Sequence, residues 1–182
     1  SMTVQDFRAL ADEQHGGDLT AAMIAATHGD TPGPYSVDDA YATAKAMVAW
    51  WAAALARRLP RSMAVFAVSP GAAPGTGFAR NMPWFMRQVM MPAMRLLGPV
   101  FGISGSIADG VERYIAAWRM GEVESGSFFA SPRRKMVGPM VRQTTLYLHD
   151  EVLQEAAWNA IVDITRGANL IEEIGEKQVV AG

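Results

Sequence analysis

The fold is decided by residues 39–77, which read DAYATAKAMVAWWAAALARRLPRSMAVFAVSPGAAPGTG. The first part, 39–59, is rich in alanine and contains no Pro or Gly, so it predicts a long helix. Two arginines near its C-terminal end suit the helix dipole, and Pro60 ends it. The continuous apolar run 63–68 then predicts a strand that is covered on both faces, as in a parallel sheet.

A loop rich in Gly and Pro follows this strand directly. Residues 69–77 (SPGAAPGTG) leave the carboxyl end of the strand. In open α/β sheets, ligands bind at that edge. We therefore expect this loop to contact a ligand.

The remaining elements indicate the fold class. Helices are predicted over 3–14, 81–91, 93–97, 106–119 and 152–166, and a short strand is predicted over 127–130. Asp38 or Asp39 can cap the long helix. Ser106 can cap the helix predicted over 106–119, with Asp109 three residues later. Residues 19–27 (LTAAMIAAT) are compatible with either a helix or a buried strand. We count them as a strand in the predicted order of elements. This order predicts an α/β protein that is helix-rich overall, with a parallel sheet of about three strands flanked by helices.

Length and charge exclude several classes of protein. The chain has 182 residues, 50% of them hydrophobic, which excludes general disorder and suits one domain. We expect a single α/β domain over 1–167 and a C-terminal tail over 168–182. The formal net charge of −2 lacks the basic surplus of nucleic-acid binders, so no nucleic-acid partner is expected.

Residue types and apolar runs exclude further chemistry. The sequence has no cysteine, and its three histidines lie far apart, so neither a disulfide nor a metal site is expected. The longest apolar run, 46–56, is well short of the roughly 20 residues that a membrane span needs. The N-terminus has no signal pattern. We expect a cytoplasmic protein that does not contact a membrane.

Tyr41 and Lys45 carry the chemistry that the sequence suggests. They stand four residues apart on the predicted helix, which places both side chains on one face. An adjacent ammonium stabilises a phenolate, and a tyrosine in that setting can exchange a proton with an alcohol or a carbonyl near neutral pH. Many helices carry this spacing by accident, so its surroundings decide its meaning.

The surroundings of the pair extend from the loop before Tyr41 to the bend after the strand. The helix closes with ARRLP, the apolar strand follows, and Ser69-Pro70-Gly71 comes next with Thr76 shortly after. This run resembles the short-chain dehydrogenase/reductase (SDR) family, with its Y-x-x-x-K helix and its Pro-Gly turn after the next strand. The resemblance covers roughly residues 23–166 and includes a helical segment, 78–101, of the kind that covers the substrate.

The resemblance implies a partial Rossmann-like sheet and hydride transfer with NAD or NADP. Tyr41 would donate or accept the proton, and Lys45 would favour its phenolate and hold the nicotinamide ribose. Pro70, Gly71 and Thr76 would lie along the nicotinamide half of the cofactor. His28 stands where the family has its catalytic serine, so the neighbouring Thr27 would supply the hydroxyl, although packing or capping explains Thr27 equally well.

The chain departs from the family at its N-terminus. The family begins with a strand, a glycine-rich loop and a helix that together bind pyrophosphate. The residues before Tyr41 are too few for two βαβ units, which need roughly 30 residues or more each. The resemblance therefore implies the C-terminal, catalytic half of such an enzyme, without the glycine-rich cofactor-binding part.

Two functions remain open at this point. The first is an oxidoreductase acting on a small carbonyl or alcohol. An apolar substrate would suit Trp50-Trp51 and the methionines of the covering segment, for which a core or a subunit contact is the alternative. The second is a catalytically incomplete SDR-like subunit that acts as an assembly partner, because three strands can hardly bury so many apolar residues. The exposed apolar faces and the unpaired sheet edge that motivate the second function predict a homo-oligomer or a partner chain.

Overall fold

The computed structural model describes residues 3–71, 84–97, 105–120, 124–132, 135 and 137–165. Their contacts divide the chain into two compact units, a helical unit formed by Ser1–Val65 with Thr144–Gly182 and a sheet unit formed by Phe66–Gln143. The expected single domain over 1–167 stays a prediction, and the expected tail lies outside the described residues.

The described elements are helical for the most part. In chain order they are helices α1 (Phe7–Gln14), α2 (Leu19–His28) and α3 (Val37–Arg58), strand β1 (Ala67–Val68), a π-helical turn (Met86–Met90), helices α4 (Met91–Leu97) and α5 (Ile107–Trp118), strands β2 (Phe128–Ala130) and β3 (Val141–Arg142), a 3₁₀ turn (Leu146–His149) and helix α6 (Glu151–Thr165). A helix-rich α/β class is therefore confirmed. Within the part of the chain that the structure describes, no helix is both long and apolar enough to cross a bilayer.

The segment that the element order counts as a strand is helix α2. Asp18 begins it, because its carboxylate accepts a hydrogen bond from the backbone N–H of Ala21. Gly29 ends it in the left-handed conformation, at φ 84°, which glycine adopts at low cost. Counting 19–27 as a strand is therefore wrong, because two end caps and the high helix propensity of alanine outweigh the short length of the segment.

Helix α3 confirms the predicted long helix but not its predicted cap. Ser36, rather than Asp38 or Asp39, is the N-cap, and its hydroxyl accepts from the Asp39 N–H at 3.3 Å. The two aspartates lie in the first turn, where negative charge suits the helix dipole. The helix begins at Val37 because serine can already accept from the helix N–H groups at the preceding residue.

The core of the helical unit is built around Trp50. Its side chain is only 1% exposed, and its indole N–H donates to the Tyr147 carbonyl at 2.8 Å. The rings of Phe7 and Tyr147 each meet the indole edge-on, with centroids 6.0 Å away. Trp51 stacks on Trp158 of α6. Both tryptophans therefore pack within the helical unit. Trp50, which is buried, belongs to its core.

Glu155 joins α6 to the end of α3. Its carboxylate lies 2.6 Å from Arg57 Nη2 and accepts a hydrogen bond from Arg58 Nη1 at 3.1 Å. The bonds from Arg58 and then Arg57 lower the pKa of Glu155 to about 2. The Arg58 guanidinium also lies over the Trp158 ring, 4.4 Å from its centroid. Charge and aromatic contacts therefore hold the same helix pair.

We expect Glu155→Gln to lower the free energy of unfolding by about 1 kcal/mol at pH 7, a small value because the side chain is 42% exposed and solvent screens the pair. The pKa is lowered on folding, so the contribution of the carboxylate is present above the ordinary value of 4.5 and is lost as the pH falls towards about 2. Urea unfolding at several pH values measures the difference. A difference that persists at pH 2, or one matched by the exposed Glu13→Gln control, would contradict this.

Among the described residues of the sheet unit, three short strands form a sheet in the order β1-β2-β3. β1 and β2 are parallel, with Ala67 paired to Phe128, whereas β2 and β3 are antiparallel, with Phe129 paired to Arg142. The sheet is therefore mixed, and the prediction of an all-parallel sheet holds for one pair only. β3 is antiparallel because the chain turns back after β2, and Gly138, at φ 121°, lies in the returning segment.

The two helical pieces predicted around Pro92 run together in the structure. The π-helical turn is closed by a bond from the Met91 N–H to the Met86 carbonyl and continues directly into α4. Pro92 lies inside this continuous helical run, where it supplies no N–H for a helix hydrogen bond. The break expected between residues 91 and 93 is therefore wrong.

Candidate functional site

Tyr41 and Lys45 lie together near the beginning of α3. The ammonium nitrogen of Lys45 is 5.5 Å from the centroid of the Tyr41 ring, within the range of a cation–π contact. Tyr41 is 45% exposed and Lys45 is exposed, so a small molecule in solution can approach both. The placement on one face, predicted from the spacing, is confirmed. The pair places a positive charge over an exposed phenol ring.

Thr27 lies in the last turn of α2, and its hydroxyl donates to the Ile24 carbonyl at 2.7 Å. This bond lies within its own helix and is the capping alternative left open by the sequence. Thr27 also lines a cavity of about 520 Å³ in the helical unit, together with His28. The hydroxyl is thus engaged locally in this structure.

That cavity meets α3 on a different face from the pair. Its α3 walls are positions 39, 40, 43, 44 and 47, and helical geometry places positions 41 and 45 on the opposite side. Two polar wall groups hold the N-terminal segment, since the Asp39 carboxylate accepts from the Thr3 N–H and the Thr43 hydroxyl accepts from the Gln5 N–H. The structure therefore groups Thr27 with the cavity, and Tyr41 with Lys45.

The Pro70-Gly71 bend follows β1 in the sheet unit. The Ser69 N–H donates to the Phe129 carbonyl at 2.8 Å, which ties the start of the bend to β2. Gly71 has φ 80°, a conformation that favours glycine, and its N–H lies 3.4 Å from the Ser69 hydroxyl. The bend therefore exists as predicted. Thr76 lies outside the described residues.

Arg113 is the residue in this region that the sequence analysis missed. It is 8% exposed, and it donates from Nη1 to the Ser69 carbonyl and from Nη2 to the Ser131 hydroxyl and the Gly138 carbonyl. α5 buries Gly110, Arg113 and Ala117 and exposes larger apolar side chains, which reverses the usual hydropathy pattern. Gly110 and Ala117 are small residues that share a helical face with Arg113. A face of this kind can pack closely against a neighbouring segment, and it is the signal that could have indicated Arg113.

A second cavity lies beside this arginine. It has a volume of about 480 Å³, and its walls include Pro70, Asp109, Glu112, Arg113 and the segment 137–140. Asp109 completes the cap of α5, because its carboxylate accepts from the Ser106 N–H at 2.6 Å, a bond that lowers its pKa. The prediction that Ser106 begins this helix is confirmed. The bend thus forms one wall of a pocket that carries both signs of charge.

No metal centre is assigned within the described ranges, where no three His, Cys, Asp or Glu side chains are grouped so that they could hold an ion. The Lys45 ammonium is exposed and carries three hydrogen-bond donors, so it could bind the hydroxyls of a ligand. The chain matches no protein-family model and shows no significant similarity to a curated protein or to a solved structure.

Proposed function

We propose that the protein is an oxidoreductase of the short-chain dehydrogenase/reductase type, which transfers hydride between NAD or NADP and a small carbonyl or alcohol. The observation that carries the proposal is the Tyr41–Lys45 pair, with its ammonium 5.5 Å from the phenol ring centroid and both side chains open to solvent. Proton transfer to a carbonyl oxygen requires an acid that the substrate can reach. A nearby cation stabilises the phenolate that forms when tyrosine gives up its proton.

Tyr41 and Lys45 are the residues that would hold the nicotinamide half of such a cofactor. Lys45 offers ammonium donors to ribose hydroxyls, next to a phenol that can face the reacting carbon. When bound, the nicotinamide supplies or takes up the hydride. In the reductive direction Tyr41 gives its phenolic proton to the carbonyl oxygen as the carbon gains the hydride, so the product is the alcohol. Lys45 stabilises the phenolate until a proton from solvent converts it back to the phenol.

Three further residues complete the proposal, as the family resemblance implies. Pro70, Gly71 and Thr76 would lie along the nicotinamide. The family resemblance also assigns the substrate oxygen to the Thr27 hydroxyl, but that hydroxyl is bonded to the Ile24 carbonyl and lines the cavity on the other face of α3, so it does not form part of the proposed Tyr41–Lys45 site. The exposed side chains Trp84, Phe85 and Leu96 support an apolar substrate, because they lie in the segment that resembles the family's substrate cover.

The sheet unit supports a partial Rossmann-like origin. β1 and β2 are parallel neighbours, α5 lies between them in sequence, and α5 contacts β1. A strand, a crossover helix and a parallel strand form the unit from which doubly wound sheets are built. The antiparallel β3 would then be an addition at the edge of that unit.

Titration of NADH and of NADPH into the purified chain, followed by nicotinamide fluorescence, tests the proposal. We expect saturable binding at or below millimolar concentration, and a dissociation constant raised about tenfold or more in Lys45→Met, because a charged hydrogen-bond donor is lost. Lys135→Met, which removes an exposed ammonium in the sheet unit, is the matched control for NADH. Absence of binding at millimolar concentration would show that this chain alone is not the enzyme.

A catalytically incomplete subunit that acts as an assembly partner is the second candidate. It is favoured by an apolar stripe along α5 that is at least 42% exposed throughout, formed by Ile107, Val111, Tyr114, Ile115 and Trp118. Such a stripe is typical of a surface that another chain covers. Light scattering distinguishes the two, since a compact monomer that binds cofactor contradicts this candidate. The homo-oligomer or partner chain, and the cytoplasmic location, stay predictions.

A further inference from the structure

We infer that Arg113 is a positioning residue that fixes the Pro70-Gly71 bend. The catalytic meaning of this inference rests on the proposed function, which places the bend along the nicotinamide. The structural claim stands on contacts within the sheet unit alone. The two can therefore be tested separately.

The guanidinium of Arg113 joins three segments that are distant in sequence. Nη1 donates to the Ser69 carbonyl at 3.1 Å, at the residue before the bend. Nη2 donates to the Ser131 hydroxyl at 2.9 Å, just after β2, and to the Gly138 carbonyl at 2.7 Å, in the segment that returns to β3. One buried side chain thus ties the end of β1 to both ends of the connection between β2 and β3.

The chemistry of arginine explains why this position carries a buried charge. Its planar guanidinium presents several N–H donors in fixed directions, whereas a lysine offers a single point charge. All three acceptors are uncharged, and a residue without donors would leave the carbonyls of Ser69 and Gly138 without these bonds. Asp109 lies one turn earlier on α5, and its pKa is lowered first by its hydrogen bonds with Ser106 and to a smaller extent by the charge of Arg113.

Gly110 brings the helix close enough for this contact. A Cβ atom at position 110 would lie 3.4 Å from the Pro70 Cβ and 3.5 Å from the Pro70 carbonyl oxygen. These are ordinary contact distances, so the backbone of α5 lies directly against the bend and an alanine still fits. Arg113 follows one turn later and reaches over Pro70 to the Ser69 carbonyl. A larger side chain at position 110 would push the helix away from the bend.

Hydrogen–deuterium exchange of the Ser69 and Gly71 amides tests the positioning claim without any ligand. In Arg113→Met we expect these amides to exchange about tenfold faster or more, because charged hydrogen bonds that oppose local opening are removed. Peptides from α1 and α3 are expected to exchange as in the unaltered chain. Gly110→Ala, which fits beside Pro70, is the matched control and is expected to leave exchange at the bend unchanged or slower.

A milder variant keeps the test decisive if Arg113→Met does not fold. Ser131→Ala removes one acceptor and leaves the bond to Ser69, so we expect a smaller acceleration at the bend. Exchange at Ser69 and Gly71 that is unchanged in every folded variant overturns the positioning role.

Cofactor affinity provides the functional readout. The dissociation constant for NADH is expected to rise about tenfold in folded Arg113→Met, while exchange in the helical unit stays constant. If the unaltered chain does not bind NADH, the proposed function fails, and the exchange result still decides whether Arg113 fixes the bend. Faster exchange at the bend with unchanged NADH affinity would overturn the link to the cofactor.

Discussion

Tyr41→Phe is expected to lower carbonyl reduction by about 10²- to 10⁴-fold, the usual contribution of a positioned general acid. The substitution removes the phenolic oxygen and keeps the ring under the Lys45 ammonium. Cofactor affinity is therefore expected to stay nearly unchanged, so the loss falls on kcat. The measurement is steady-state oxidation of NADPH with a panel of small apolar aldehydes and ketones, paired with a binding titration of NADPH to the same variant.

The matched control for this substitution is Tyr35→Phe. Tyr35 is 73% exposed and lies six residues earlier, at the wall of the helical-unit cavity. Removal of its hydroxyl is expected to leave turnover unchanged. If Tyr41→Phe turned over substrate as fast as Tyr35→Phe, Tyr41 would not be the proton donor, and the pair would be no more than a surface contact.

Trp50→Ala is expected to destabilise the protein by about 3–5 kcal/mol, the usual cost of removing a buried tryptophan. The indole is 1% exposed, packs edge-on against Phe7 and Tyr147, and donates to the Tyr147 carbonyl. Its loss would leave both a cavity and a carbonyl without its partner. Urea unfolding followed by circular dichroism measures the change.

Two substitutions separate the contributions at this position. Trp50→Phe keeps most of the ring volume and loses the N–H, so its cost is expected to lie between those of the unaltered chain and Trp50→Ala. Trp118→Ala removes an 83% exposed indole and is expected to change stability by less than about 0.5 kcal/mol in the monomer. Equal effects of Trp50→Ala and Trp118→Ala would contradict the assignment of Trp50 to the core.

The parts of the fold that the sequence predicts well are those set by local chemistry. The long alanine-rich stretch became α3, and the Ser106 cap became a full capping box with Asp109. The spacing of Tyr41 and Lys45 sufficed to place them together, because it depends only on the turn of one helix. These features need no knowledge of distant residues.

The parts that the sequence analysis missed depend on tertiary contacts. β3 has only two residues and pairs with β2 after a reversal of the chain, so no apolar run marks it. The apolar run 63–68 yields a strand of two residues, because β2 pairs only with its end. Arg113 lies on the buried face of α5, although the hydropathy pattern predicts that the opposite, more apolar face is buried. Long-range hydrogen bonding decides each of these cases.

The role of Thr27 shows the limit of the family resemblance at the candidate site. Position along the chain suggests a catalytic hydroxyl, but the structure engages that hydroxyl with the Ile24 carbonyl. A threonine in the last turn of a helix readily bonds back to a carbonyl of the preceding turn, whatever else it does. Its catalytic role therefore stays a prediction, whereas the structure brings Tyr41 and Lys45 into contact.

We propose that this chain recognises a nicotinamide through the Tyr41–Lys45 pair. Saturation-transfer NMR with reduced nicotinamide mononucleotide, and with AMP as the comparison, tests it most directly, because each ligand carries only one half of the dinucleotide. We expect transfer to the nicotinamide and ribose protons, weaker transfer in Lys45→Met, and none to AMP. Transfer to AMP alone, or to neither ligand at millimolar concentration, would contradict it.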